Sequence, residues 1–504
     1  MEKHKVIGTI IGVLAFIALI VGVTYAWYTW QNSNNTNVTF TVSGADITFD
    51  AGSDVTSSKL RPVSTKEIGV EKGYAIEKII TASSPVTVYL NLYLTIENLP
   101  DELKNESFKW EVYNNNNLVS IGNFKYNSLG DKITIASNQK ITSTVSTYKL
   151  YIWIDGNMSN PSTMQNQTFK FLLSADATDE EPLPSFITLT KLGLKVSEGS
   201  PDFNKTAQAS CSDETTCETT NGIYEAEDDL GISYYFRGAV ENNYVKFAGF
   251  YWRIIRINGD GTIRMIYDGT SAHANGESST DRQVSTTPVN ANYYNDNAYV
   301  GYMYGTPGSS TYEDTHANIN DSTIKTANDN WYKTNIIDNG YSQYIADAIY
   351  CNDRSLSEGT GIGTTATSYM AFNRLYTNKT PTLKCAQNED KFTTSSSLGN
   401  GDLTYPVGLI TADEVGLAGG SDSVSDNKKF YLWTGQGYWT MSPCHYEYSF
   451  ELESSRNYIV NLSGRLSPYT TSSNLIYLKP VISLKSDIIF IGNGTISSPF
   501  EIVS

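Results

Sequence analysis

Residue types able to do chemistry are few in this chain, and they are scattered. The four histidines are His4, His273, His316 and His445. No two stand four apart, so no helix offers a zinc pair. Neither HExxH nor GxSxG occurs, so a metalloprotease helix and a nucleophile elbow are both missing. The five cysteines contain no CxxC, which leaves a zinc ribbon or a thioredoxin-type centre unsupported. Cys211 and Cys217 enclose a short loop that a disulfide could close. Cys351 and Cys385 are the next plausible pair, and Cys444 is left over. Oxygen ligands cluster at Asn295-Asp296-Asn297, Asn320-Asp321 and Asn328-Asp329-Asn330, as a hard cation such as calcium requires. No EF-hand pattern accompanies them, and Asn and Asp also serve turns by bonding their own backbone. No catalytic residue, no metal ligand and no cofactor is therefore expected, with calcium left open.

The elements that must position these residues begin with an exported N-terminus. Lys3, His4 and Lys5 precede a run over residues 6–23 without a charge, and Thr24-Tyr25-Ala26 follows. This is the layout of a secretory signal. The run is also just long enough to span a bilayer. Cleavage after Ala26 and retention as a membrane anchor both remain open. Trp27, Tyr28 and Trp30 would suit a membrane interface. The net charge of −17 in 504 residues excludes a nucleic-acid binder, which needs a basic patch. The 35 tyrosines suit strands and extracellular contact surfaces. Five cysteines fit an oxidising compartment.

Period-two runs start at Val38, Val86, Tyr148 and Phe169, separated by Asn, Gly and Ser clusters. They read as half-buried antiparallel strands of one all-β domain over 31–175. Acidic residues with Pro182 and Pro184 suggest an extended linker over 176–200. Residues 244–257 then form a long strand-like run, which Asn258-Gly-Asp-Gly261 turns back into 262–267. One helix is expected after Asp321-Ser322, carrying Ile324, Ala327 and Trp331. Another is expected after Thr411, stopped by Gly419-Gly420. Long polar loops over 268–320 and 352–400 separate these elements.

The leader ending Val23-Thr-Tyr-Ala-Trp-Tyr-Thr29, with Tyr151-Ile-Trp-Ile-Asp-Gly156 and Gln165-Asn-Gln-Thr-Phe-Lys-Phe171, resembles the camelysin/TasA-type exported β-sandwich proteins. That resemblance implies a jelly-roll-like sandwich in a bacterial surface or matrix protein. Camelysin's described metalloprotease role has no HExxH to rest on in this chain. Residues 231–487 resemble the C-type-lectin-like domains shared with formylglycine-generating enzymes. The motifs are Tyr235-Phe-Arg-Gly238, Phe250-Tyr-Trp-Arg-Ile-Ile-Arg256, Thr411-Ala-Asp-Glu414, Tyr438-Trp-Thr-Met-Ser-Pro443 and Leu478-Lys-Pro-Val-Ile-Ser-Leu484. Lys479 stands where such proteins carry Arg. The paired late cysteines that formylglycine formation needs are missing. Between Pro443 and Leu478, aromatic, Ser, Asn and Arg residues interleave, the composition of an adaptable recognition surface. In the variable proteins of diversity-generating retroelements, which share this fold, the ligand face lies in the matching place. The resemblance thus implies His445, Tyr446, Tyr448, Phe450, Arg456, Tyr458 and Tyr469 as ligand contacts.

The sequence therefore predicts a signal peptide or membrane helix (1–30) and an all-β sandwich (31–175). A linker (176–200), an α+β C-type-lectin-like domain (201–490) and a C-terminal hairpin or tail (491–504) follow. The leading functional expectation is a bacterial cell-surface or secreted binding protein for a glycan or protein ligand on another surface. It touches the membrane through its leader if that is uncleaved. A fibre or matrix subunit is the alternative, and an enzyme of unknown type is the third.

Overall fold

The computed structural model describes residues 37–157, 161–291, 294–422, 426–449 and 452–503. The expected leader helix lies outside them. Among the described residues no helix is long and apolar enough to cross a membrane. Mostly β-structure, the chain divides into two units, Met1–Pro182 and Leu183–Ser504.

Alternating apolar and polar residues send every second side chain inward, and this builds the first unit. Its strands are β1 (Val38–Val42), β2 (Ala45–Phe49), β3 (Asp54–Ser57), β4 (Pro62–Val63), β5 (Ile76–Ser83), β6 (Val88–Asn98), β7 (Phe108–Asn114), β8 (Asn117–Asn123), β9 (Lys132–Ile141), β10 (Ser146–Asp155) and β11 (Phe169–Thr178). Helix α1 (Lys66–Glu71) interrupts them, capped by the Thr65 hydroxyl on the Ile68 amide. One sheet runs β1-β2-β5-β10-β7-β8, with β4 beside β10; the other runs β3-β11-β6-β9. Ile80 and Leu150 of the first sheet share one core with Leu92, Leu94 and Phe171 of the second.

Two boundaries differ from expectation. Strand β11 continues to Thr178, pairing with β6 up to Tyr89. Pro184 then opens helix α2 (Pro184–Lys191), where its missing N–H costs nothing. Buried Thr188 donates to the Gly261 carbonyl at 2.7 Å. The acid- and proline-rich stretch is thus no 176–200 spacer; most of its second half packs into the second unit. The C-terminal hairpin does form, but it belongs to that unit's main sheet.

In the second unit β12 (Thr206–Ala207) and β13 (Cys217–Glu218) precede β14 (Gly222–Asp228), β15 (Gly231–Arg237), β16 (Tyr244–Phe247), β17 (Phe250–Ile257) and β18 (Ile263–Gly269). The expected single strand over 244–257 is two, because Ala248 and Gly249 both take positive φ (54° and 80°). That conformation makes the tight hairpin turn between β16 and β17. After β19 (Met303–Tyr304), α3 (Tyr312–Thr315) and β20 (Asn320–Asp321) comes helix α4 (Thr323–Tyr332), capped by Ser322 as expected. Next come β21 (Tyr350–Cys351), β22 (Leu356–Glu358), β23 (Thr367–Tyr369), α5 (Met370–Phe372), β24 (Lys391–Phe392) and α6 (Ala412–Leu417). The Thr411–Glu414 capping box starts α6. The last strands are β25 (Tyr438–Ser449), β26 (Leu452–Val460), β27 (Leu466–Thr470), β28 (Val481–Leu484), β29 (Phe490–Ile491) and β30 (Phe500–Ile502). The main sheet runs β14-β15-β17-β16-β30-β29, with β18 bridging β17 to β28. A five-stranded sheet runs β22-β23-β25-β26-β27. Trp252 and Ile254 of the main sheet share a core with Tyr438, Trp439 and Val460 of the second sheet.

Both expected disulfides form, Cys211–Cys217 and Cys351–Cys385, as suits an oxidising compartment. Cys444 is free and buried.

Candidate functional site

Phe450 apart, the residues expected to contact ligand lie on β25, β26 and β27, and both faces of this sheet are covered over much of its length. On one face Ser455 Oγ donates to the Asp296 carbonyl, and Asn457 Oδ1 accepts from the Gly301 amide. Tyr446, opposite Ser455 in the ladder, is buried with them. The other face carries His445 opposite Arg456. Helix α5 lies over it and runs on as a π-turn, Asn373–Asn378. The Phe372 ring meets His445 edge-on at 5.7 Å. Tyr376 stacks on Phe372 at 5.2 Å and 16° between planes, and is 52% exposed.

Three of the seven expected contacts act inside the fold. His445 Nε2 lies 2.9 Å from Glu447 Oε1, and Arg456 Nη2 lies 2.8 Å from Glu447 Oε2. Tyr458 is buried and donates to Asp422 Oδ2 at 3.3 Å. His445, Tyr446 and Tyr458 are thus corrected from surface contacts to interior residues. The recognition-type composition and the resemblance carried no information on which side chains other segments of the chain would cover. Arg456 is half-buried, and Tyr469 on edge strand β27 is exposed while its ring leans on Trp439 at 6.2 Å. Phe450 and the side chain of Tyr448 lie outside the described residues.

Cys444 Sγ lies 3.2 Å from His445 Nδ1. Burial pushes the thiol well up and the imidazole down, Glu447 opposing the latter. A protonated buried thiol is a poor nucleophile.

Behind α5 lies a charged cleft with no counterpart in the expectations. Its enclosed volume is about 30 Å³, room for little more than water. Arg256 reaches Asp228 Oδ2 (2.7 Å) and Glu414 Oε1 (3.0 Å), and Arg264 reaches Glu414 at 2.7 Å. Arg374 grips both oxygens of Asp413 (2.9 and 2.8 Å) and Asp353 at 2.6 Å. Burial would raise Glu414, but Arg264 and Arg256 outweigh it and hold the carboxyl below its usual range. Every named charge has an opposite partner, so the cleft's ion pairs tie the segments that carry α5 and α6 to the main sheet. The sequence did carry a sign of it: Arg256 and Arg264 interrupt apolar strand runs, where an unpaired charge would be costly.

The Asn/Asp clusters are turn and ion-pair groups. Asp296 caps the Asn297–Tyr299 turn and accepts from the Gly308 amide at 2.9 Å. Asp321 and Asp329 clamp the Lys325 ammonium at 3.1 and 2.8 Å, so an internal cation fills the place between them. Among the described residues no three His, Cys, Asp or Glu side chains could hold a metal.

No family model and no curated protein matches the chain. Two solved chains match. One is the crystal structure of the PA14 domain of MpAFP antifreeze protein, 14% identical with a TM-score of 0.12. The alignment covers 27% of this chain and 66% of that one, and so low a score carries no argument.

Proposed function

We propose that the chain is an exported bacterial surface-binding protein. In this reading a sandwich of camelysin/TasA type carries a C-type-lectin-like unit that binds a glycan or protein on another surface. The observation carrying it is the Phe372–Tyr376 stack, whose Tyr376 ring is 52% exposed with the Lys379 ammonium 5.5 Å from its centre. A rigid ring with little rotamer freedom suits recognition. The disulfides support an extracellular setting. The test is adhesion of chain-coated beads to bacterial and host cells and to immobilised polysaccharide. Binding to one of these surfaces supports the reading; indifference to all of them overturns it.

A second reading, a fibre subunit, has its own observation. Strand β1 pairs with β2 alone among the described residues, and its Val-Thr-Phe-Thr-Val sequence has no Lys or Pro to blunt an edge. Concentration-dependent fibres that Thr39→Lys abolishes would favour it; a monomer at all concentrations would remove it.

A further inference from the structure

Two lysines are buried among the described residues, Lys325 and Lys479. A buried ammonium is costly and needs close partners. Lys479 lies 3.7 Å from Asp268 and 4.9 Å from the centre of the Tyr438 ring. Arg282 already holds both oxygens of Asp268, at 2.9 and 3.1 Å. A guanidinium fork stabilises a carboxyl group as the anion, the form that amines do not attack.

Lys325 has different surroundings. Its side chain is fully enclosed, and Asn328 and Tyr332 of α4 are buried with it. The i,i+4 spacing puts Asp329 one turn further along the same face. Lys325 Nζ lies 2.8 Å from Asp329 Oδ2, 3.1 Å from Asp321 Oδ1 and 3.5 Å from Thr404 Oγ1. The other Asp329 oxygen, Oδ1, is buried without a hydrogen-bond partner. Burial raises the Asp329 carboxyl above its usual range, against the pull of Lys325. Asp321, just before the helix, is 42% exposed and links the amine to solvent. An amine therefore touches a carboxyl with one idle oxygen, beside a second carboxylate open to water. Reacting groups held in contact need no encounter, which removes much of the barrier to joining them.

We propose that Lys325 and Asp329 join in an intramolecular amide, a covalent clamp across one turn of α4. The Lys325 ammonium passes one proton to Asp329. The freed lone pair adds to Asp329 Cγ and makes the C–N bond. The Cγ–O bond breaks, and the hydroxyl leaves as water with a second proton from Nζ, relayed by Asp321. An ammonium and a carboxylate become an amide and one water, with no oxidant or reductant. Two desolvated charges vanish, which favours the product in an enclosed site.

The test is a tryptic map of the full chain after reduction and alkylation. Lys325 should stay uncut, and Gln283–Lys333 should emerge as one peptide, one water lighter than its sequence. Its fragment ladder should show no breaks between Lys325 and Asp329. Lys325→Met and Asp329→Ala should each restore the full mass, and Asp321→Asn should leave most chains unlinked. A wild-type peptide of full mass, cut after Lys325, would overturn the proposal whether or not the variants fold. A water loss that persists in Lys325→Met would also overturn it, marking a succinimide at Asp329 instead.

Discussion

In the first unit the backbone finds its partners in two largely antiparallel sheets, and several of its ion pairs sit near solvent: Lys149 and Lys170 remain 41% and 46% exposed. The second unit folds long loops inward, and Arg237, Arg253, Arg264, Arg282 and Arg354 are fully buried there. These arginines bond carbonyls of loops and of the ends of short elements. Arg237 donates to the carbonyls of Gly416, Leu417, Asp202 and Lys205. Arg354 donates to those of Met303 and His316. Arg253, Arg264 and Arg282 serve Val240, Ile349 and Glu277. A guanidinium has five donors in a fixed fork, so one side chain can satisfy several buried acceptors. The contrast teaches how a loop-rich unit stays rigid: buried cations do for its loops what strand pairing does for the sandwich.

The largest effect should come from Arg354→Met. It strands buried Asp390 and two carbonyls, and should cost about 3–5 kcal/mol. Hydrogen exchange should rise around 303–316 and 387–392 while the first unit stays protected. Unchanged protection in those loops would end the contrast between the units. Replacing Cys351 and Cys385 together by Ser opens a 34-residue separation and should cost about 4 kcal/mol on a loop-entropy account. The same change at Cys211 and Cys217, six apart, should cost about 2 kcal/mol. Urea midpoints would show the ranking, and equal costs would refute the entropic explanation.

A smaller, pH-dependent effect belongs to His273, whose ring nitrogens lie 2.9 Å from Glu277 and Asp281. Burial alone would lower its pKa, but the Asp281 and Glu277 carboxylates outweigh burial and raise it. A raised folded-state pKa means the protonated form favours folding. The gain is complete below the ordinary value of 6.5 and fades as pH rises through the folded pKa. Wild type should therefore exceed His273→Gln in stability at mildly acid pH, and the gap should close on the alkaline side. A gap independent of pH would assign His273 to packing. Least affected should be Lys149→Met in the first unit, at about 0–1 kcal/mol in the same urea assay. A cost as large as that of Arg354→Met would erase the difference between surface and buried charge.

Much of the framework was legible because its causes are local. Ser322 and Thr411 cap helices where their side chains alone predict it, and alternation located β1, β6, β10 and β11 of the sandwich. Cys211 and Cys217 were readable as a pair from their nearness in the chain. Other features had no local cause. Nothing local revealed the turn at Ala248, where alanine takes a left-handed conformation, or the helix within the acidic stretch.

The candidate site shows the same division. The aromatic and polar composition of 444–477 was visible, but its orientation was not, because segments more than seventy residues away cover both faces of the sheet. Tyr376 was not singled out, since a π-turn depends on how Phe372 meets His445 and Arg374 meets Asp413. By itself the sequence determined a β-rich first domain, the helix caps, the candidate cysteine pairs and an acidic net charge. Only the tertiary structure decided which tyrosines are buried, which charges are spent on one another, and which ring faces solvent. Period and capping act within a few residues, whereas burial is set by contacts between distant segments.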